Sequence, residues 1–206
     1  AGVWYYVRAD TRADVVDVTD WLTDIADAAA LMTRTEVDRR FLSGCHRTIH
    51  NETLAEVIHD NLVQAPPIDH APDDEEFATE IRETLPDERV RDRIRGETVG
   101  LSEADRERIL AEPTYTDPLE TFNEKRDPTA STDIGDVSQI VPLGRFRAAT
   151  WPVGVAPHTW QAVASSGTVG KNGAIYAAQV LAGTAVDLVE EPAALQAAQA
   201  EFESEV

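Results

Sequence analysis

The chain has 206 residues, 42% of them hydrophobic, which is enough to bury a core and excludes disorder throughout. Its 38 acidic residues against 18 basic ones give a net charge of -20, so a phosphate backbone would meet a repulsive field and nucleic acid is excluded as a partner. One cysteine, Cys45, excludes an internal disulfide and fits a reducing, cytoplasmic setting, and no apolar run approaches the roughly eighteen residues that span a membrane.

The opening stretch AGVWYYVRAD has the β-branched and aromatic density of a strand, with Val3, Tyr5 and Val7 on one face and Trp4, Tyr6 and Arg8 on the other. Because the chain begins in what reads as mid-strand and without methionine, sequence is expected to precede it. From Thr11 to Met32 the apolar positions Val15, Val18, Leu22, Ile25 and Ala29 recur at spacings of three and four, which predicts an amphipathic helix capped by Asp10 or Thr11. TEVDRRFLSG then alternates like a half-buried strand ending at Gly44.

A second helix is predicted to start at Asn51, bury Leu54, Val57, Ile58 and Leu62, and stop at Pro66 and Pro67. From Asp69 to Glu112 both charge signs are dense, and the short helical patterns there are expected to be solvated surface helices without chemistry. Tyr115 to Ser131 is rich in proline, threonine and aspartate and predicts a long loop. Arg145 to Trp151 is expected to be a strand, and VASSGTVGKNGA to bring the backbone close to something. Ala174, Ala177, Ala178, Leu181, Ala182, Ala185 and Leu188 predict a helix packed on a small-residue face. Pro192 opens a last helix burying Leu195, Ala198 and Phe202.

Two stretches combine small residues with uncommon polar groups. In STDIGDVS, Asp133 and Asp136 fit ordinary turn and cap chemistry, or could orient a metal-bound histidine. In VAPHTWQ, His158 has no ionisable neighbour, so it is either a buried ring with one satisfied hydrogen bond or a metal ligand. No second ligand stands at His-x-x-x-His or Cys-x-x-Cys spacing from His158.

Taken in order, VWYYVRA, AALMTRTEVDRRFLSG, NETLAEVIHDNL, STDIGDVSQIVP, HTWQAVASSGTVGKNG and AVDLVEEP resemble the zinc-peptidase amidohydrolase family, which includes aminoacylases, indole-acetyl-amino-acid hydrolases and succinyl-diaminopimelate desuccinylase. The resemblance covers nearly the whole chain except the region between Pro66 and Pro128. It implies an α/β fold in which residues 1–50 are part of an α+β lid that forms a homodimer and residues 51–206 are the C-terminal part of an α/β catalytic domain. The implied chemistry is hydrolysis of the amide bond of a small N-acyl or aminobenzoyl amino acid, with two divalent ions, zinc or manganese, activating water and a glutamate as base. By the same resemblance His158 is the last metal ligand, Asp136 supports the site, and Arg8 holds a substrate carboxylate with paired hydrogen bonds.

The departures from that pattern are specific. The family's His-x-Asp motif, its paired glutamates and its remaining ligands belong to an N-terminal half that this chain lacks, so that half is an expected partner and no stable metal binding is expected of this chain alone. Pro157 stands where relatives often have glycine, and Lys171 and Asn172 where they tend to have histidine and lysine. The alternative to a hydrolase portion is a non-catalytic remnant or dimerising interaction module.

The acidic excess carries its own consequence. Only Lys125 and Lys171 are lysines, and acidic residues spread through every segment fit a halophilic surface whose self-repulsion is screened by salt. With a Debye length of about 3 Å at 1 M salt, the melting temperature is expected to rise between 0.1 and 2 M potassium chloride, measured by thermal melts; a flat response contradicts a saline setting.

Overall fold

The computed structural model describes residues 1–98, 100–119 and 132–205; most of the predicted Tyr115–Ser131 loop lies outside them. Helix α1, Arg12–Thr33, begins where the Thr11 hydroxyl accepts the Asp14 amide and ends at Arg34, which turns into the left-handed region. It buries none of its residues. Helix α2, Glu52–Gln64, is capped by Asn51, whose side chain accepts the Leu54 amide at 2.9 Å. Prolines open α3, Pro72–Glu83, and precede α4, Asp87–Glu97, while Ser102 caps α5, Glu103–Ala111. Two short helices, α6 (Ile134–Val137) and α7 (Trp160–Ala164), come before the long α8, Thr168–Glu190, and α9, Pro192–Glu205.

Among the described residues every regular element is a helix, which overturns the expected α/β fold. Alternation marks a chain half-buried on one side, but a strand also needs a neighbour to complete its ladder of hydrogen bonds. Residues 1–9 and 35–50 have no such neighbour and run as irregular backbone, with Trp4 and Tyr6 74% and 82% exposed. The alternation in Arg145–Trp151 has a different cause. Phe146 and Ala148 pack on the core of α2 and α8 while Arg145 and Arg147 face out, so an irregular segment laid across two helices repeats every second residue. Gly173 of α8 lets it lie so close: a Cβ there would stand 2.2 Å from the Ala149 carbonyl oxygen.

Two cores result. In the first, α2 packs on α8 and α9, with Ile58, Tyr176 and Val180 buried and the Tyr176 hydroxyl donating to the Leu62 carbonyl at 2.6 Å. Each large apolar side chain buried there contributes about 1.5–3 kcal/mol. The inward face of α8 is Val169, Gly173, Tyr176, Val180 and Thr184, not the alanine-rich face expected from sequence. Ala174, Ala178, Ala182 and Ala185 are exposed, because tyrosine and valine yield more burial against α2 than a close small-residue contact would. On α9 only Ala198 is buried, and Leu195 remains 51% exposed. The second core corrects the expectation that residues 69–112 are merely surface. Val90 and Ile94 of α4, Ile109 of α5 and Val153 form a buried cluster, with Leu85, Leu101 and Tyr115 around it. Charged positions outnumber the apolar ones on these helices, yet the apolar ones share one face.

Glu201 ties α9 to α2. Its carboxylate accepts the backbone amides of Glu52 and Thr53, at 2.5 and 3.0 Å, and the Thr53 hydroxyl at 2.8 Å. Burial pushes its pKa up, but these three donors to the charged form outweigh burial and hold it below the usual glutamate value of 4.5. A depressed carboxylate pKa contributes stability that is present above the unfolded value and lost as pH falls through the folded one. Glu201→Gln is therefore expected to cost about 1–2 kcal/mol at pH 7, with the difference from the parent chain vanishing at acid pH below 4.5. Urea melts at both pH values check this, and a pH-independent difference contradicts it.

Candidate functional site

The three residues singled out in the sequence lie on three separate segments. Asp136 is on α6, about two thirds of the way along the chain. One of its oxygens, Oδ1, accepts both the His46 amide, at 2.9 Å, and the His46 ring nitrogen Nδ1, at 2.7 Å, the ring donating when Nδ1 is protonated. The amide bond, then the ring bond and the nearby Arg12 guanidinium, hold the Asp136 carboxyl below the usual aspartate range. Around this pair the loop before α2 is pinned to α6: the Ile49 amide donates to the buried Ser138 hydroxyl at 2.9 Å, and Gln139 donates to the Arg47 carbonyl at 2.9 Å. Asp136 thus joins the loop that follows residues 1–45 to the rest of the chain.

His46 was not singled out by the sequence. It stands 90 residues from Asp136, and no ligand spacing or periodicity links them; the signals available were a histidine beside the lone cysteine and its His-x-x-x-His spacing to His50.

His158 is not a buried ring. It is exposed, on the turn that leads into α7, and its backbone takes the left-handed conformation with φ 63°. Few residues other than glycine accept that region, histidine, asparagine and aspartate among them. The turn is closed by Thr159, whose hydroxyl donates to the Ala156 carbonyl at 2.8 Å and accepts the Ala162 amide at 3.3 Å, capping α7. Trp160 beside it is 60% exposed. The imidazole is therefore offered to whatever approaches this end of the molecule. Arg8 is exposed on the irregular N-terminal stretch.

Among the described residues no three histidine, cysteine, aspartate or glutamate side chains converge closely enough to hold a metal ion. Likewise, among the described residues no helix is long and apolar enough to cross a membrane.

Among known proteins, the chain is related to a hydrolase subunit. That relative is a p-aminobenzoyl-glutamate hydrolase subunit of Escherichia coli (strain K12), 30% identical over 213 residues, an alignment that covers 98% of this chain and 43% of the relative. The kinship expected from the order of motifs is borne out, and the chain spans less than half the length of the relative it matches. No family model and no solved structure matches the chain.

The Asp136–His46 pair gives a pH-dependent prediction. Because the folded pKa of Asp136 is depressed, the pin is complete above the usual aspartate value of 3.8 and weakens as pH falls through the lowered one. Asp136→Ala should reduce hydrogen-exchange protection of the His46 and Ile49 amides at pH 6 while sparing α8, and the parent chain should approach the variant as pH falls below 3.8 and through the lowered carboxyl value. Equal protection of the His46 amide in the two chains at pH 6 would contradict the pin.

Proposed function

We propose that this chain supplies part of a metal-dependent amidohydrolase that cleaves the amide bond of an N-acyl or aminobenzoyl amino acid. The observation that carries this is the alignment of 98% of the chain with a hydrolase subunit. The exposed, left-handed turn of His158 supports it, since an imidazole held outward on a capped turn is placed for a ligand and contributes little packing. His158 would be one donor to a pair of zinc or manganese ions whose other donors lie outside these residues. Such ions supply a Lewis acid and an activated water. Asp136 supports the site by fixing α6 against the loop before α2, and Arg8 grips the substrate carboxylate. The setting proposed is cytoplasmic and saline, supported by the net charge of -20.

A second function, as a dimerising interaction module, is favoured by one observation. Trp4, Tyr6, Trp21, Met32 and Phe41 are each at least 67% exposed within residues 1–50, far more apolar surface than an isolated monomer usually presents in one region.

The test uses the complete hydrolase that carries this stretch. His158→Asn, chosen because asparagine tolerates the left-handed backbone, should lower bound metal by one ion per chain and abolish nearly all turnover. The melting free energy of the metal-free protein should change by less than about 0.5 kcal/mol, as for an exposed side chain. Retained metal with a lowered melt would refute the assignment, and full turnover in the variant would favour the interaction module.

A further inference from the structure

The turn that carries His158 is held from both sides by one part of the molecule, and that part is the charged helical region α3–α5. On the N-terminal side, Pro152 and Val155 are buried and Val153 enters the core of α4 and α5. The Val153 amide donates to the Pro113 carbonyl, just after α5, at 2.9 Å, and the Val155 amide closes a tight turn onto the Pro152 carbonyl at 3.1 Å. Between them Gly154 has φ +88° and lies directly against Val90 of α4: a Cβ on Gly154 would stand 2.6 Å from Val90 Cγ1 and 3.0 Å from its Cβ. On the C-terminal side, the buried Gln161 donates through Nε2 to the hydroxyl of Thr84 at the end of α3, at 3.2 Å. Thr84 is itself fixed, its hydroxyl donating to the Ile81 carbonyl at 2.6 Å.

The brace is stiff in its own right. Arg82 of α3 donates to the carbonyls of Leu110 and Glu112 at the end of α5, and the Thr114 hydroxyl donates to Glu75 at 2.8 Å. Side chains on α3 thus lock the end of α5, next to the Pro113 carbonyl that receives Val153. His158 falls between Val153 and Gln161 in the chain, so two fixed points confine a short arc whose apex adopts a backbone conformation few residues accept.

We infer that α3–α5 is a brace that sets the position of the His158 imidazole, with Val90 and Gln161 as its positioning residues. Its consequence for catalysis rests on the proposal that His158 serves the hydrolase site; its geometric content does not. A core side chain that fixes an exposed turn acts through shape, so small volume changes at the contact translate directly into displacement of the turn.

The experiment is carried out on this chain, following the His158 ring resonances and the amide protection of residues 153–161 by NMR. Gly154→Ala should shift the His158 ring signals and lower protection of the turn about tenfold, while α2 and α8 keep theirs. Adding Val90→Ala removes the two nearest methyl groups but neither the Val90 Cβ at 3.0 Å nor the cost of a side chain at φ +88°, so it should return only the part of the shift that comes from the methyl contact, which a merely additive loss of stability would not do. Gln161→Ala, which deletes one hydrogen bond and should fold whatever happens to the first variant, should lower protection on the C-terminal side alone. Unmoved ring signals in both Gly154→Ala and Gln161→Ala, or shifts in the double variant that simply add, would overturn the brace. In the complete hydrolase the same two variants should lower kcat about tenfold with KM unchanged. If His158→Asn leaves turnover intact, the role given to His158 fails while the ring signals still decide the brace. If His158→Asn abolishes turnover but the ring signals never move, the brace fails and that role stands.

Discussion

The amino end of α2 carries backbone N–H groups that no helical carbonyl can reach, and in a packed interior each needs an acceptor. Asn51 supplies one from the preceding residue, and Glu201 supplies two more from the far end of the chain. Asn51 also donates to the Ala198 carbonyl of α9, so the same corner is closed in both directions. Once α2 is held there, its other face meets α8 and the irregular segment around Phe146 is laid over both. With the Tyr176 hydroxyl on the Leu62 carbonyl, those acceptors set the register in which α2 meets α9 and α8.

Much of this was legible in the sequence where the signal is local. Thr11, Asn51, Ser102 and Pro192 open helices because a cap or a pre-set φ acts within one turn. What failed were inferences that depend on a partner. Val3 to Ala9 has strand composition, but composition cannot supply the neighbouring strand. The alanine-rich side of α8 reads as a close-packed face, whereas Tyr176 and Val180 decide which side turns inward because they bury more. The brace around Val90 was hidden for a related reason: few apolar residues lie among many charges, and only their shared face reveals them.

The candidate site divides in the same way. His158 and Asp136 stood out by their surroundings, while the roles given to them came from the resemblance, since residue type alone left both open. The partners that fix them could not be inferred, since His46 joins Asp136 across 90 residues and Thr84 joins Gln161 across 77. The relation to a hydrolase subunit covers 43% of that relative, and within it the His158 turn is an exposed loop fixed at both ends.

Helix α1 has 22 residues and not one of them is buried. A helix of that length, tied to the rest mainly by the Asp27–Arg39 ion pair and a few half-buried residues, leans on its caps and its own ladder, which in water is a marginal balance. α1 is therefore expected to open against solvent more readily than the α2–α8–α9 core, on a different rung of the molecule's ladder of partial unfolding. Any free energy extracted from a helix-sensitive signal under an all-or-none assumption would mix the two rungs, and would understate the core by the fraction of the signal that α1 carries.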